Sequence, residues 1–542
     1  MKLFQKLLLA PAALGLMAPV AASAADLNIA GVSQYGSEEQ VTSITQFSDV
    51  KPTDWAYQAL SNLIERYGCV AGYPNGTFRG ERAMTRWEAA ALLNACLDRI
   101  TEVTDELKRL MKEFEKELAV LKGRVDGLEA KVGELEATQF STTTKLKGIA
   151  TFVLGANSFG GSVSDVRDLA ATQEGGTTFN YDVRLNFDTS FTGKDLLRTT
   201  LRAGNFGNSA FGGGYTTGTN DAALGLNQLE VAFQEGEAGS NVVGINRLFY
   251  QFPVGDKVTV TFGGRVRQDD MLAMWPSVYP ADTVLDIFTY AGAPGAYNLN
   301  LGAGAGIWYQ DKGWSFSANY VSGNAQNGNP NEGGIATDAA AETGTVQIGY
   351  AGSNWGAAAV YNYSNGVGPA SGTPLAVLGG SGLGELFDSV NSVGLSAYWQ
   401  PSTSGWVPSI SVGWGINSYN QGDTAFDYDG AASQSWYVGL QWDDAFIKGN
   451  ALGMAVGQPT FITSCGDICK EFGKDGNTPY DAGYAWEWWY KFQVTDNISV
   501  TPAIFYLSNP LGAVGNAARV AADESGAALT NFGGIIKTTF KF

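Results

Sequence analysis

The stretch TTFNYDVRLNFDTSF, residues 177 to 191, most narrows what this chain can fold into. Phe179, Tyr181, Val183, Leu185 and Phe187 occupy every second position, and Asn180, Asp182, Arg184, Asn186 and Asp188 fill the gaps. A side-chain period of two belongs to a strand with one apolar and one polar face. Such alternation recurs from residue 145 to residue 542. A water-soluble sandwich shares this pattern. Two further features point to a transmembrane antiparallel β-barrel with its apolar face outward: aromatic residues gather near strand ends, and short tight turns alternate with long polar loops.

The turns count the strands. Short connections stand at TGKD (192–195), PVGD (253–256), QDKG (310–313), AGSN (351–354), PSTSG (401–405), DDAF (443–446) and VTDN (494–497). Seven of them imply about fourteen strands, and an entering strand at 145–157 with a closing one at 530–542 brings the expectation to about sixteen, with eighteen as the alternative parse of 224–252. The chain ends GGIIKTTFKF. A terminal aromatic on the last strand resembles the recognition signal of outer-membrane barrels.

The front of the chain is built differently. Lys2 and Lys6 precede LLLAPAALGLMAPVAA, which leads to Ala22-Ser23-Ala24, so residues 1–24 read as a cleaved secretory signal and 25–43 as a linker. A membrane anchor is the competing reading, but the apolar run is short and broken by Pro11 and Pro19. Residues 44–97 form a helical module. Trp55, Ala59, Leu63 and Tyr67 recur every four residues up to Gly68, GYPNGTF (72–78) demands a tight turn, and Thr85 with Glu88 in TRWE forms a capping box that leaves Arg86 near a helix N-terminus. On the residues alone, Trp55 is a core side chain and Arg86 a solvated helix charge.

FSDV, WAYQAL, GYPNGTF and TRWEAAALLN together resemble the S-layer homology (SLH) module. That resemblance implies binding to cell-wall polysaccharide linked to peptidoglycan, with Trp55 as platform, Gly72 as close-approach backbone and Arg86 as anion contact. The module departs from the common pattern in being single rather than one of three tandem copies.

From 98 to 140 the pattern changes again. Leu107, Met111, Phe114, Leu118, Leu121, Val125, Leu128, Val132 and Leu135 alternate steps of four and three, a heptad seam that implies a self-associating coiled-coil stalk. The alternative is an amphipathic helix lying on its own barrel. At 1.5 Å per residue the stalk spans roughly 60 Å, and Gly123, Gly127 and Gly133 weaken it.

The chain of 542 residues contains no histidine. Ser-His-Asp triads, Cys-His dyads and HExxH zinc sites are therefore impossible, and no enzyme activity, cofactor or metal is expected. Four cysteines fall in two local pairs, Cys69 with Cys96 and Cys465 with Cys469, which suits disulfides in an oxidising compartment. Zinc ligation and free thiols are the alternatives.

In a barrel of this size selectivity comes from side chains lining the lumen. Counting by twos from outward Leu197, Thr199 and Leu201 places Arg198 and Arg202 inward, with Arg184 beside them; the same count from Val258, Val260 and Phe262 places Arg265 and Arg267 inward. The long connection after Arg267 carries Asp269, Asp270, Asp282 and Asp286 among apolar residues and is the candidate for a loop folded into the pore. Acid on that loop facing arginine on the wall would set a transverse field; the plainer reading pairs the arginines with lumen carboxylates to hold the wall. The net charge of -19 does not decide ion preference.

RLFYQFPVGDKVTV and YAWEWWYKFQVTDNISVTPAIFYLSNP resemble the carbohydrate-selective porins, and the order of module, stalk and barrel resembles the SLH-bearing outer-membrane porins of cyanobacteria, some named iron uptake porins. The resemblance implies a trimeric pore for small solutes such as sugars or inorganic ions, iron included. It sits among outer-membrane lipid, with its N-terminal module in the periplasm bound to the wall and no nucleic-acid partner. A barrel closed by its loops, serving mainly as a tether, is the alternative.

Overall fold

The computed structural model describes residues 43–54, 57–65, 76–80, 82–83, 112, 124, 127, 143–207, 209–212, 225–232, 241–279, 284–377, 389–420, 430–465 and 480–542. Contacts divide the chain into two units, 1–138 and 139–542.

In the first unit, helix α1 (Tyr57–Glu65) packs on the turn Ile44–Gln46. Its buried face is Leu60 and Ile64, closed by Ile44 and Phe47 with Val50, Tyr57 and Phe78 against them. Leu63, which the four-residue count assigns to the apolar face, is instead 38% exposed. The buried spacing is i, i+3, i+7, so the count ran along the wrong edge of the helix. Asp49 accepts from the Phe78 and Arg79 N–H groups at 2.7 and 2.6 Å, which holds its carboxyl below the usual carboxylate range. The PNG turn has Gly76 at φ +73°, the left-handed conformation that selects glycine. Of the 98–140 segment, Lys112, Arg124 and Gly127 are described and are helical; the heptad seam otherwise lies outside the described residues. So do the signal segment, Trp55, Gly72, Arg86, Cys69, Cys96 and Cys469.

The second unit is a closed antiparallel barrel of sixteen strands in which each strand pairs with its sequence neighbours and the last closes on the first. The strands are β1 (Thr144–Gly160), β2 (Thr178–Thr189), β3 (Leu196–Gly204), β4 (Gly244–Val254), β5 (Val258–Arg267), β6 (Leu301–Asp311), β7 (Trp314–Ser322) and β8 (Glu342–Ala351). They continue as β9 (Trp355–Asn365), β10 (Ser389–Trp399), β11 (Ser409–Asn420), β12 (Ala431–Asp443), β13 (Ala451–Cys465), β14 (Ala485–Thr495), β15 (Ile498–Leu507) and β16 (Thr530–Lys541). All seven short connections expected from sequence join strands at one end of the barrel, and among the described residues of 224–252 the strand is β4 at Gly244–Val254, so the closed barrel has sixteen strands rather than eighteen. The backbone of Cys465 closes β13; its side chain lies outside the described residues.

Outward positions are apolar and bare: Phe262, Ile307, Val346, Leu395, Val412 and Ile504 are each 40% exposed or more. Only a hydrocarbon surround removes that surface from water. At the short-turn end Tyr350 packs edge-on against Trp314 and tilted against Trp355, each with centroids 5.1 Å apart, part of an aromatic girdle. Phe542 exchanges backbone hydrogen bonds with Gly148 at 2.7 and 2.9 Å, so the last residue seals the final strand to the first.

Candidate functional site

Among the described residues, two connections that fold against the inner wall shape the candidate site. The first, L3, is residues 268–300, the loop that the sequence singles out. Its outgoing limb lies on the inner wall: the Ala273 N–H donates to Ser317 Oγ at 2.9 Å, Gln347 Nε2 donates to the Met274 carbonyl at 2.9 Å, and the Val278 and Tyr279 N–H groups share Ser411 Oγ at 3.0 Å. At its far point Tyr279 donates its hydroxyl to Glu487 at 2.6 Å, Leu285 donates its N–H to the same carboxylate at 2.8 Å, and Trp489 Nε1 donates to Tyr279 at 2.7 Å. The return limb is held by Ser396 to the Ala291 carbonyl, 2.7 Å, and Ser435 to that of Gly292, 2.9 Å. The wall it covers, β7 to β13, carries Ser, Thr, Asn and Gln at its buried polar positions. Short neutral donors and acceptors suit a loop whose backbone groups need partners away from water.

The second is L2, residues 205–243. Leu229 bridges Leu285 in antiparallel register, the Glu230 N–H donates to the Val284 carbonyl at 3.0 Å, and the Asp286 N–H donates to that of Gln228 at 2.9 Å. Phe211, Leu229, Leu285 and Phe288 then form an apolar cluster inside the barrel against Val153, Tyr437, Trp489, Phe505 and Ile535. Nothing in the sequence reading placed L2 in the lumen. Its apolar residues Phe206, Phe211, Leu226, Leu229 and Val231, in a loop that would otherwise be solvated, were the available signal.

Opposite L3 stands a charged wall, β2 to β5. Arg198 meets Asp188 at 2.8 Å, and Lys147 meets the same carboxylate at 3.1 Å. Arg202 and Arg184 share Asp182 at 2.6 and 2.7 Å, and Arg184 also reaches Glu230 of L2 at 3.4 Å. Arg247 binds Asp270 and Arg267 binds Asp269, each at 2.5 Å. The structure thus gathers Arg184, Arg198, Arg202, Arg267, Asp269 and Asp270 at one wall and adds Arg247 and Glu230, which the sequence reading missed.

Two expectations change in detail. Asp269 and Asp270 do not face the arginines across the lumen; they sit at the root of L3 in contact with Arg267 and Arg247. The loop acid that reaches the wall from outside it is Glu230. Asp286 is hydrogen-bonded by the Tyr290 and Thr289 hydroxyls, and Asp282 lies outside the described residues. At Arg265 the two-residue count meets a register shift between Gly263 and Val266. Val266, which the count assigns outward, is fully buried with Phe249, Met271 and Val321, and the register partner of Arg265 is the exposed Leu248. A bulge inserts a residue and resets the alternation beyond it. A similar shift lies between Thr200 and Leu201, opposite Arg247.

The carbohydrate-selective porin family model matches residues 102–542, and the S-layer homology domain model matches residues 46–90. An uncharacterized protein of Nostoc sp. is 37% identical over 517 residues, covering 88% of this chain and 83% of its own length; one from Synechocystis sp. is 32% identical over 555 residues, covering 94% and 93%. The outer membrane protein SlpA of Deinococcus radiodurans is 38% identical over 104 residues, covering 17% of this chain and 9% of that protein. Among solved structures, OprB of Pseudomonas putida is 13% identical with a TM-score of 0.47, covering 76% of this chain and 96% of that one. With a closed sixteen-strand barrel whose exposed outward positions are largely apolar and a family match spanning most of the sequence, the chain belongs to the carbohydrate-selective porin, OprB family, and is an outer-membrane porin carrying an S-layer homology domain.

Proposed function

We propose that the barrel passes small neutral polar solutes, sugars foremost, by passive diffusion between the arginine wall and the L2–L3 insert. The observation that supports this reading is pairing: Arg184, Arg198, Arg202, Arg247 and Arg267 each hold a carboxylate at 3.4 Å or less. Paired charges leave little net field for an ion to follow, yet guanidinium and carboxylate edges still offer donors and acceptors to a hydroxylated solute. Inorganic ions, iron among them, would pass as minor cargo. The N-terminal module tethers the barrel to peptidoglycan-linked polysaccharide, and the stalk assembles three copies.

Liposome swelling tests the cargo. Vesicles holding the full chain should swell with pentoses and hexoses faster than the weak single-channel current in potassium chloride would suggest, and Arg184→Ala, which unpairs Glu230 and half of Asp182, should shift ion selectivity toward cations. Equal exclusion of sugars and salts would support the second reading, a barrel shut by the L2–L3 apolar cluster and acting as a tether.

A further inference from the structure

The longer connections lie at the end of the barrel opposite the short turns, the face turned away from the cell in barrels of this kind. Several of them meet at one side chain. Asp481, just before β14, is 2% exposed. Its Oδ2 accepts from Thr373 Oγ1 at 2.6 Å and from the Ile462 N–H at 2.7 Å, and its Oδ1 accepts from the Ala513 N–H at 2.7 Å. Thr373 stands in the β9–β10 connection, Ile462 in β13, and Ala513 in the first turn of a helix, Gly512–Ala521, between β15 and β16.

The helix needs that acid for a local reason. The first N–H groups of a helix have no partner within it, and Leu511, at its N-terminal edge, makes no side-chain cap. The acceptor therefore comes from another connection. Gly512 lets it come close: its φ is +53°, and a Cβ there would sit 2.2 Å from Asp481 Oδ1.

The segments so joined reach over the lumen. The Thr373 N–H donates to the Thr460 carbonyl at 2.8 Å, the Tyr419 hydroxyl, inward on β11, donates to the Ala376 carbonyl at 3.0 Å, and the Ala370 N–H donates to the Pro294 carbonyl of L3 at 3.0 Å. Residues 370–377 therefore rest on the return limb of L3, on its outer side. From there the helix Gly512–Ala521 carries the cover round to the first strand, where Leu511 and Leu529 pack with Ala170 of the helix Ser164–Glu174 and with Phe159 of β1. The connection after β7 leans the other way. The Ala336 N–H donates to the hydroxyl of outward-facing Tyr320, and Ile335 lies beside Leu248 and Phe262 on the outer surface. Among the described residues, the outer mouth is thus roofed from β9 round to β1 and drawn back at β7 and β8.

We propose that Asp481 is a positioning residue for permeation: by pinning these connections to one another it holds the roof at a fixed aperture and sets the largest solute the outer mouth admits. The proposal rests on the sugar-pore reading above. One carboxylate carries all three bonds, so its loss frees the β9–β10 connection and the helix together.

The test compares swelling of vesicles holding the full chain in arabinose, sucrose and raffinose, uncharged solutes of rising size, each rate taken as a ratio to that in arabinose. Asp481→Ala should raise the raffinose ratio about tenfold or more, since even one lost hydrogen bond to a charged group shifts a closed–open equilibrium by that much. A ratio equal to wild type overturns the proposal, and so does a fall of every rate together with loss of the heat-resistant barrel band, the mark of a merely structural role. Thr373→Val removes one of the three bonds and keeps the side chain's shape; it should raise the ratio by less, and should Asp481→Ala not assemble, an unchanged ratio in Thr373→Val overturns the proposal. Trypsin reads the roof without any flux. Arg519, whose Nη1 donates to the Glu524 carbonyl at 2.8 Å, should be cut about tenfold faster in Asp481→Ala, followed as release of residues 520–542; equal rates overturn the clamp. Wild-type vesicles that admit no sugar would end the sugar-pore reading, and the cleavage rates would still decide this one.

Discussion

At the scale of single residues, the lumen is governed by which carboxylate each cation meets. Asp286 stands apart because its partners are hydroxyls. Burial pushes its carboxyl up to about 6; the Tyr290 hydroxyl pulls it back, nearby Glu230 adds to the rise, and Thr289 and Arg267 act against it. As pH falls through 6 the carboxylate gains a proton and loses its negative charge while the arginines keep theirs, so the lumen becomes more positive. Reversal potentials should therefore move toward anion preference below pH 6, and Asp286→Asn should hold the low-pH value at every pH; a pH step that survives in that variant assigns the titration elsewhere. Glu487, fully buried, has a mechanical role instead. It accepts from both the outgoing and the returning limb of L3. Hydrogen bonds to a charged group contribute about 1.5–3 kcal/mol each, so Glu487→Ala should free the far point of the loop and raise current noise while the heat-resistant barrel band on gels persists. Quiet channels in that variant would show that the apolar cluster alone holds the loop.

At the scale of elements, L3 lies on its wall because that wall is made of small residues. A Cβ on Gly413 would sit 1.8 Å from the Ala291 carbonyl oxygen. Gly413→Ala should therefore lift the return limb off β11 and enlarge the conducting state, read as a larger single-channel current with an unchanged far-ultraviolet spectrum; an unchanged current means the limb does not border the path. The strands themselves were legible because alternation is a local property, imposed on every residue by lipid on one side and the lumen on the other. Bulges were not. One inserted residue between Gly263 and Val266 costs nothing in the periodic pattern of either half, yet it brings Val266, outward by the count, onto a buried face, and Arg265 stands within the irregularity itself. Arg247 stands one residue before the exposed Leu248, so the alternation along β4 itself carried its signal. L2 was illegible because its partner is L3, a contact between two loops that neither periodicity nor turn chemistry records. In α1 the stripe was real but the chosen edge was one residue off, as often happens when aromatic and small residues flank the true face.

At the scale of the whole molecule, one chain carries an outer-membrane barrel and a single matched S-layer homology domain, with a heptad-patterned segment between them in the sequence. A single module binds with one contact's affinity, whereas a self-associating stalk would present several copies at an effective concentration near the millimolar range, and linked contacts of that kind raise avidity by about 10² to 10⁴. The seam is where this can be broken without touching either end, because Leu118 and Leu121 are successive positions of the apolar stripe and a buried charge at each opposes helix association. The double substitution Leu118→Asp with Leu121→Asp is expected to lower retention on isolated cell wall by about 10² or more while sugar-driven liposome swelling stays at the wild-type rate. Retention unchanged beside intact swelling would mean that one module suffices and that the stalk is a spacer, and loss of both would mean that the segment is needed to build the barrel itself.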